Sequence, residues 1–599
     1  MGYDIQAPRR SISTFGFVFF LHLVCSVLAD VPHHTDWQSY QDGKLGLQPN
    51  QTFHSAPHIG APIYQVNKFD YEKVDKSPYI FLAGAYSEGL YGPSIISSED
   101  LSLVWADERY STGRATKPYI FKGQPVIAAY AGDRIRIYNQ HYQQLYQVGW
   151  QLESPNRQGL NNHECYITED DTVVIIFDEY TPADLTSLGG PAEGHGVIQQ
   201  HVQEIDPVTN TVLFHFSTLN HFPVSSSLMP YWDNGGLFHD YSHMNSAQKT
   251  PEGDFLLSIK HFGCIIMVNG RNAQPKWIMG GARNQFTDIT KDGTATFGPQ
   301  HHARISGKNR ITLFDNAQWN NGFCEGRGSK GGHCSRGLEL EYDLEAMTVW
   351  VVNEWYHPQG LISATRGGVQ PLPNGNTLIA WGQNAMYTEH TPDGEVVMDI
   401  QRSLVDEDRL GHNTLIAYRA WKGDWEGKPT WGPNISANAD ASGNMTIYVS
   451  WNGATAVKRW VLLLSTSLSS LNGPKKVASE SRRMGFETGF VLPRDWDATF
   501  ARVAALDKNG EIIGSTPAVD IATGAIHALA YEVSSVRVDE SASANPKYCV
   551  TSVSSTAYGN IGDISSMPLY LACATSVGLA IALGYVLQTR QPSKKMSAI

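Results

Sequence analysis

The sequence predicts an all-β protein in which a β-propeller of five or six blades is followed by an immunoglobulin- or fibronectin-III-like sandwich. The 599 residues include 55 Gly, 30 Pro and 15 Trp, but only 17% are charged. This composition indicates a chain that is rich in turns and strands and can bury a large core. A loose repeat of short apolar strands runs through the middle of the chain. After Trp425 it gives way to shorter, regularly alternating strands.

The propeller is predicted from stretches that share one order of features. Each has a turn with Gly or Asn, a short apolar strand, a strand that contains Asp, and a strand with an aromatic residue. Antiparallel blades arranged around an axis repeat in this way, here at roughly 45–75 residues. We assign residues 30–425 to the propeller; a pair of β-sandwiches is the alternative, because isolated strands do not distinguish the two. The repeats begin with TEDDTVVIIFDEY, PEGDFLLSIK, KNRITLFDNA and LPNGNTLIAWG, and IISSEDLSLVWADE resembles a further, degenerate blade.

The sandwich is predicted over residues 426–532, where short alternating strands are separated by turns about every ten residues, as in seven-stranded sandwiches. Trp451 and Trp460 are expected to lie in its core. From 533 to 566 the chain becomes polar and rich in serine, a composition that is typical of a flexible stalk.

The N-terminus has the features of a secretory signal peptide over residues 1–29. Two arginines at positions 9–10 precede an apolar stretch from Phe15 to Leu28, and Ala29 completes a cleavage site of small residues. An uncleaved membrane anchor is the alternative. Secretion would place the mature chain in an oxidising compartment, where disulfides persist.

A second apolar segment, from Leu569 to Leu587, contains 19 residues and no charge, close to the roughly 20 that span a bilayer. We predict a transmembrane helix over 567–588. Because basic residues follow it, the tail over 589–599 is expected to be cytoplasmic. The chain is thus expected to be a single-pass type I membrane protein with its bulk lumenal or extracellular, in the plasma membrane or an internal secretory membrane. A cleaved lipid-anchor signal is the alternative.

Two further patterns fit a secreted glycoprotein. Asn50, Asn434 and Asn444 each begin an N-x-S/T triplet and are predicted glycosylation sites. Cys324 and Cys334 bracket the glycine-rich loop CEGRGSKGGHC and are predicted to form a disulfide. A metal site at this pair is not favoured, because no CxxC spacing occurs and only His333 lies between the two cysteines. No cofactor is expected, and the sequence leaves open whether a metal is bound elsewhere. The formal net charge of -13 argues against a nucleic-acid partner, which would require a concentrated basic face.

The candidate active site is predicted from histidines that stand at the beginning of repeats. Residues 239–246 read HDYSHMNS and residues 300–304 read QHHAR, and each phrase is followed by a β-rich run. In a propeller, this arrangement would bring His243 and His301 together on the central axis. Imidazole can act as a nucleophile, and imidazolium can hold the oxygens of an anion. The pattern therefore indicates chemistry on an anion.

The phrases DYSHMNS, FGPQHHARI, ITLFDN, SRGLELEYD, GGVQPLPNGNTLIAWG and IAYRAW together resemble the arylsulfotransferase family, in its fungal-type branch. The resemblance covers residues 60–425. It implies transfer of a sulfuryl group from an aryl sulfate to a phenol without a nucleotide sulfate donor. In agreement, the chain lacks the GxxxxGK[ST] loop that binds nucleotide phosphates.

The resemblance also assigns residues. His243 matches the family's SHxN histidine, His301 its QHxA histidine, and Arg336 the arginine that opens the strand after the third repeat's loop. We predict these three as catalytic, because sulfuryl transfer requires a nucleophile or base and fixed donors for the charged oxygens. For the two histidines the alternative is a hydrogen bond to a neighbouring turn, and for Arg336 it is an ion pair with Glu339 or Glu341.

Three further residues are predicted to bind the substrate, namely Asn245, His302 and Arg419. Asn245 is also expected to orient the ring of His243. The alternative for His302 is a packing or surface role, because neighbouring strand residues point to opposite faces. For Arg419 the alternative is an interdomain ion pair.

The segment 382–386 resembles the place where the bacterial members carry their sulfated histidine, and Met386 lies near that position. A thioether cannot replace imidazole. The chain is therefore predicted to use another imidazole as a covalent relay, or to transfer the group directly from donor to acceptor. A non-catalytic binding propeller and another enzyme activity in the same pocket are the alternative functions. The sequence leaves the oligomeric state open.

Overall fold

The computed structural model describes a chain that is almost entirely β, as predicted. The predicted signal peptide at 1–29, the transmembrane segment at 567–588, the tail at 589–599 and Cys324 lie outside the described residues. Within the described part of the chain, no helix is both long and apolar enough to cross a membrane. The structure describes residues 30–46, 49–82, 92–110, 113–232, 236–291, 293–317, 334–402, 418–439, 443–471, 477–492, 496–530, 533 and 549–551.

An N-terminal arm precedes the repeats and contains the single α-helix of the described residues. Asp36 caps this helix by accepting the N–H of Ser39. The arm consists of β1 (His33–His34), α1 (Trp37–Gln41), β2 (Asn50–Thr52), β3 (Gly60–Pro62) and β4 (Tyr64–Phe69).

Six mainly antiparallel sheets follow in chain order, and β4 and β1 of the arm extend the sixth of them. The first three contain β5 (Tyr79–Leu82), β6 (Ser94–Ser97) and β7 (Leu103–Ala106); β8 (Gly113–Phe121), β9 (Gln124–Ala131), β10 (Arg134–Tyr138) and β11 (Gln144–Val148); and β12 (Gln158–Ile167), β13 (Val173–Pro182), β14 (Gly196–Ile205), β15 (Val212–Ser217) and β16 (Phe238–His239). The next three contain β17 (Met244–Lys249), β18 (Phe255–Ile259), β19 (Cys264–Val268) and β20 (Pro275–Gly280); β21 (Thr287–Asp288), β22 (Gln300–Gly307), β23 (Arg310–Asp315), β24 (Arg336–Asp343) and β25 (Thr348–Tyr356); and β26 (Gly368–Pro371), β27 (Thr377–Ala380), β28 (Met386–His390) and β29 (Val396–Gln401).

The six sheets form a closed ring. The last strand of the region, β30 (Ala420–Gly423), pairs with β5. The first sheet therefore contains strands from both the beginning and the end of the region. Neighbouring sheets contact each other mainly through the strand at one edge of each sheet: β8 contacts β12, β12 contacts β17, β17 contacts β22, and β22 contacts β26. In the first sheet this edge strand is β30, which contacts β8 of the second sheet and β27 of the sixth. A ring of consecutive four-stranded meanders is a β-propeller. The region is therefore a propeller of six blades and not a pair of sandwiches.

The alternation of side chains along a strand explains why the blades stack. In β13, Val174 and Ile176 pack toward the fourth blade, whereas Val173, Ile175 and Phe177 pack toward the second. Successive side chains of a strand point to opposite faces, and here both faces are covered by neighbouring blades. The run VVIIF is thus continuously apolar because the strand is buried on both sides.

Two further sheets pack face to face after the propeller and enclose a core that includes Trp451 and Trp460, as predicted. Residues 549–551 pair with one of these sheets, so part of the predicted stalk adds a strand. One sheet contains β31 (Asn434–Ala439), β32 (Met445–Ser450), β35 (Glu487–Val491) and β40 (Cys549–Thr551). The other contains β33 (Arg459–Ser465), β34 (Val477–Arg482), β36 (Phe500–Leu506), β37 (Ile512–Ser515), β38 (Ala518–Asp520) and β39 (Ile526–His527).

The sequence features of a secreted protein are only partly covered by the described residues. Asn50 is exposed, and Asn434 and Asn444 are half-buried; their glycosylation stays a prediction. Cys334 is disulfide-bonded. The pairing with Cys324 stays a prediction, because that residue lies outside the described part of the chain.

Candidate active site

Three histidines from successive blades meet at the channel of the propeller. His163 lies in β12, His243 directly precedes β17, and His301 lies in β22. The ring centroids of His163 and His243 are 4.9 Å apart, and each lies 6.0 Å from that of His301. The expected proximity of His243 and His301 is therefore observed. His163 was missed by the sequence reasoning, because it lies inside the strand phrase NNHECYI and not at the beginning of a repeat.

Asp240 fixes both the backbone and the ring of His243. Its Oδ1 accepts the N–H of His243 at 3.2 Å, and its Oδ2 accepts the Nδ1–H at 2.5 Å. His243 has a positive φ of 51°, a conformation that is uncommon outside glycine and often found at functional sites. Burial would raise the pKa of Asp240, but the facing His243, His261 and Lys260 bring that pKa well below its ordinary range. Asp240 is therefore an anion that orients His243.

The role predicted for Asn245 as the orienting residue is wrong. Its Oδ1 accepts the N–H of His302 at 3.1 Å, and its Nδ2 donates to the carbonyl of Gln300 at 2.8 Å. Asn245 is fully buried and joins the fourth blade to the fifth. It thereby positions the backbone on both sides of His301.

His301 is a fully buried, neutral imidazole. Its Nδ1 donates to Oδ1 of Asn316 at 2.7 Å, and its Nε2 accepts the N–H of Arg366 at 3.2 Å. Burial, and then the nearby Lys260, lower its pKa well below the ordinary value. Because both ring nitrogens already have partners, His301 is better placed to shape the pocket than to attack a substrate.

A lysine and a fourth histidine complete the site, and both were missed by the sequence reasoning. The N–H of Lys260 donates to the carbonyl of His243 at 3.1 Å, and the N–H of His261 donates to that of Ser242 at 3.0 Å. Antiparallel pairing of β17 and β18 causes this proximity, so the phrase KHFG at the end of β18 was the available signal. Lys260 is buried, and burial lowers its pKa to about 8.

His261 stands beside His243, with their ring centroids 4.8 Å apart. Its Nδ1 donates to the carbonyl of Asp240 at 2.6 Å, and burial lowers its pKa to about 3. A hydrogen-bonded chain approaches from the other side, in which Nδ1 of His163 donates to Asn161 and Asn161 donates to Asp178. The rings of His163, His261 and His301 and the carboxylate of Asp240 thus surround the ring of His243.

Arg336 does not have the arrangement that its predicted role requires. Its side chain is fully buried, Nε donates to Asp315 at 3.1 Å, and Nη1 donates to Glu354 at 2.8 Å. Nη2 donates to the carbonyls of Thr294 and Thr296. These bonds engage all three guanidinium nitrogens within the fifth blade. Direct binding of a substrate by Arg336 is therefore contradicted, as is the alternative partner among the glutamates of β24.

The side chain of Met386 lies in the apolar core of the propeller and not among the histidines. Met386 begins β28, the third strand of the sixth blade, and packs in an apolar cluster with Phe314, Trp355 and Trp381. Only 2% of the residue is exposed. Met386 itself therefore does not join the histidine cluster. The turn before it is nevertheless close to the site, because the N–H of Gln383 donates to the carbonyl of Thr365, next to Arg366, whose N–H bonds His301. The correspondence between segment 382–386 and a nucleophile-bearing strand end stays a prediction.

His302 and Arg419 lie close to the cluster without joining it. The ring of His302 is fully buried 5.0 Å from that of Trp421. Arg419 donates to the carbonyls of His163 and Asn245, at 2.8 Å each. Arg419 therefore holds together the strands that contain His163 and Asn245. These bonds, and not the interdomain ion pair considered above, engage its guanidinium group. A cavity of about 570 Å³ lies elsewhere in the chain, and none of the predicted site residues lines it.

The histidines also offer a possible site for a cation. In each of His163, His243 and His301, Nδ1 hydrogen-bonds a side-chain oxygen, which is the usual orientation of metal-ligating histidines. A metal on His301 would have to displace the N–H of Arg366. The groups whose ligand atoms lie within 4.8 Å of one another are His163, His243 and His301, and Asp240, His243 and His261.

The fold and the site together define a six-bladed propeller with a histidine-rich channel. Residues 117–403, slightly less than half of the chain, match the model of the arylsulfotransferase (ASST) family. The matched segment contains His163, His243, Lys260 and His301, and it supports the arylsulfotransferase resemblance over that part of the chain. It does not distinguish a fungal-type branch.

Solved structures that resemble the chain are distant. A protein of unknown function from Bacteroides caccae is 11% identical, with 57% of this chain and 97% of that chain covered and a TM-score of 0.34. A putative 6-phosphogluconolactonase from Bacteroides fragilis is 14% identical, with 63% and 86% covered and a TM-score of 0.29. A virginiamycin B lyase from Staphylococcus aureus is 9% identical, with 65% and 84% covered and a TM-score of 0.25. These scores carry no inference about activity. No curated protein matches the chain.

Proposed function

We propose that the channel transfers a sulfuryl group from an aryl sulfate to a phenol, with His243 as the covalent relay. The Asp240–His243 pair is the observation that carries this proposal. Because Nδ1 of His243 donates to Asp240, the neutral ring has its lone pair on Nε2. The side chain of His243 is 24% exposed, so the ring is accessible from the channel. A carboxylate-oriented imidazole is a competent nucleophile.

In the first step, the lone pair of Nε2 forms a bond to sulfur, and the bond between sulfur and the aryl oxygen breaks. The phenolate leaves with that electron pair, and the sulfonated ring becomes cationic. Asp240, which is ionised, stabilises this charge. In the second step, the acceptor phenol attacks sulfur, the N–S bond breaks, and the electron pair returns to Nε2. The acceptor gives up its proton to solvent and the released phenolate takes up one from solvent, so that protons balance over the two steps.

Lys260 is the proposed donor to the sulfonate oxygens. It is buried next to His243, and its pKa of about 8 leaves it charged at neutral pH. A fixed cation in a poorly solvated site stabilises the oxygen charge that grows in the transition state. Lys260 thus takes the role that the sequence assigned to Arg336.

The experiment is release of nitrophenol from 4-nitrophenyl sulfate by the purified protein, with and without a second phenol. We expect release to depend on the acceptor and to survive removal of divalent metals by a chelator. A protein that binds aryl sulfates without turnover would support the binding-propeller alternative. Turnover that is lost on chelation and restored by one metal would instead favour metal catalysis on the three histidines, for which their Nδ1 hydrogen bonds are the supporting observation.

A further inference from the structure

A second group of polar side chains in the channel has no part in the proposed chemistry. Lys117 lies on β8, His302 and Arg304 lie on β22, and Arg419 directly precedes β30. These are the strands that line the channel. Among the described residues, several buried nitrogens of this group lack any hydrogen-bond partner, namely Nδ1 and Nε2 of His302, Nε of Arg304 and Nε of Arg419. Buried polar groups without a partner are rare in folded proteins and point to an unseen ligand.

Shared neighbours show that these side chains converge. The ring of Trp421 lies 4.2 Å from Nζ of Lys117 and 5.0 Å from the ring of His302. The ring of Tyr166 lies 5.8 Å from the guanidinium of Arg304 and 5.9 Å from Nζ of Lys117.

Arg419 joins the same group. Its charge is one of those that act most strongly on both Lys117 and His302. A Cβ added at Gly368 would lie 3.3 Å from Nδ1 of His302 and 3.4 Å from Cγ of Arg419, so both side chains border the same small space.

The charges of this group do not balance. Lys117, Arg304 and Arg419 carry three positive charges, whereas Glu164 is the one carboxylate among the strongest influences on Lys117 and Arg419. Glu164 is already engaged, because it accepts Nη2 of Arg304 at 2.6 Å and the N–H groups of Cys165 and Ala247. An excess of buried positive charge is unfavourable unless an anion accompanies it. Accordingly, burial and the charge of Arg304 lower the pKa of Lys117 to about 8.

We propose that Lys117, His302, Arg304 and Arg419 form a binding site for a small oxyanion dianion of the sulfate class. Such an anion would accept hydrogen bonds from the unpartnered nitrogens and offset the excess of two positive charges. The site is separate from the relay, because the rings of the neighbouring residues His301 and His302 contact different partners. The ring of His301 lies 6.0 Å from that of His243, whereas the ring of His302, whose φ is 58°, lies 5.0 Å from that of Trp421. The proposal does not depend on sulfuryl transfer.

The test measures the unfolding temperature of the full chain as sodium sulfate replaces sodium gluconate at constant ionic strength, with sodium chloride as a parallel series. A ligand that binds only the folded state raises this temperature in a saturable manner. We expect saturation with sulfate and not with chloride. Lys117→Met should raise the half-saturating concentration about tenfold or more, the effect of losing one charge-assisted contact. The exposed Lys308→Met and the relay variant His243→Ala should leave it unchanged.

A response that is linear, equal for chloride, or unchanged in Lys117→Met would overturn the proposal, and water would then be the partner of these nitrogens. Anomalous diffraction from wild-type crystals soaked in selenate gives a check that requires no variant. The proposal expects a peak within hydrogen-bond distance of Nε of Arg419 and the ring of His302. No peak there would contradict it.

Discussion

Replacing His243 by alanine is expected to lower kcat/KM for aryl sulfates at least about a hundredfold, the low end of what a nucleophile or general base contributes. The reason is that Nε2 of His243 is the proposed site of sulfonation, and that among the four rings of the cluster only His243 donates its Nδ1–H to an ionised carboxylate, whereas His163, His261 and His301 donate to amide or backbone carbonyl oxygens. His301 is fully buried with both nitrogens bonded, and His261 has a pKa near 3. Initial rates with 4-nitrophenyl sulfate and an acceptor phenol give the measurement.

The variant Asp240→Asn tests the contribution of the Asp240 charge while the ring of His243 is kept. An amide keeps the size of the side chain but removes the charge that stabilises the sulfonated ring, and it can present an N–H where an acceptor is needed. We expect a large loss of kcat with a smaller change in KM. His58→Ala is the control, because His58 lies on the surface with its side chain 56% exposed. Full activity in both His243→Ala and Asp240→Asn would place the chemistry elsewhere.

The second large effect is expected at Lys260. Lys260→Met should lower kcat about a hundredfold or more, as is typical when one preorganised donor to a developing oxyanion is removed. The pKa of Lys260 is lowered to about 8, so the ammonium is present below pH 8 and is lost as the pH rises through that value. Wild-type activity should therefore decline above about pH 8. The pH profile of kcat/KM measures this decline.

The unfolding temperature distinguishes a catalytic role of Lys260 from a purely structural one. Burial of the charged form is unfavourable in the folded state, so Lys260→Met should keep or raise the unfolding temperature while it loses activity. The basic limb near pH 8 should also be absent from its residual rate. Lys308→Met, on the surface, should retain both the rate and the pH profile. A basic limb that persists in Lys260→Met would assign the titration to another group.

The sequence predicted the architecture well because propeller strands leave a strong local signal. Continuous apolar runs such as VVIIF, separated by Gly and Asn turns, indicate strands that are covered on both faces. The position of His243 and His301 at the beginning of repeats was sufficient to expect them at the channel, since the first strand of each blade lies there. The order of elements along the chain is sufficient for this expectation, without knowledge of distant contacts.

The rest of the site depends on pairings that sequence spacing does not reveal. Lys260 and His261 reach His243 through the register of a hairpin, and His163 reaches it from the preceding blade. Arg336 was predicted from its residue type and position, but the buried carboxylates of Asp315 and Glu354 engage it. The burial of Met386 in an apolar cluster with Phe314 and Trp381 likewise depends on contacts between strands that are distant in the sequence.

Mapping the sulfonated residue tests the central claim most directly. Wild-type protein would be incubated with 4-nitrophenyl sulfate without an acceptor, quenched under alkaline conditions that preserve N-sulfonated imidazole, digested and sequenced by mass spectrometry. The relay predicts a mass increment of one SO₃ group on the peptide that contains His243, absent from His243→Ala and discharged when a phenol is added. An active enzyme that shows no increment, or carries it on another residue, would contradict the assignment of His243 as the nucleophile.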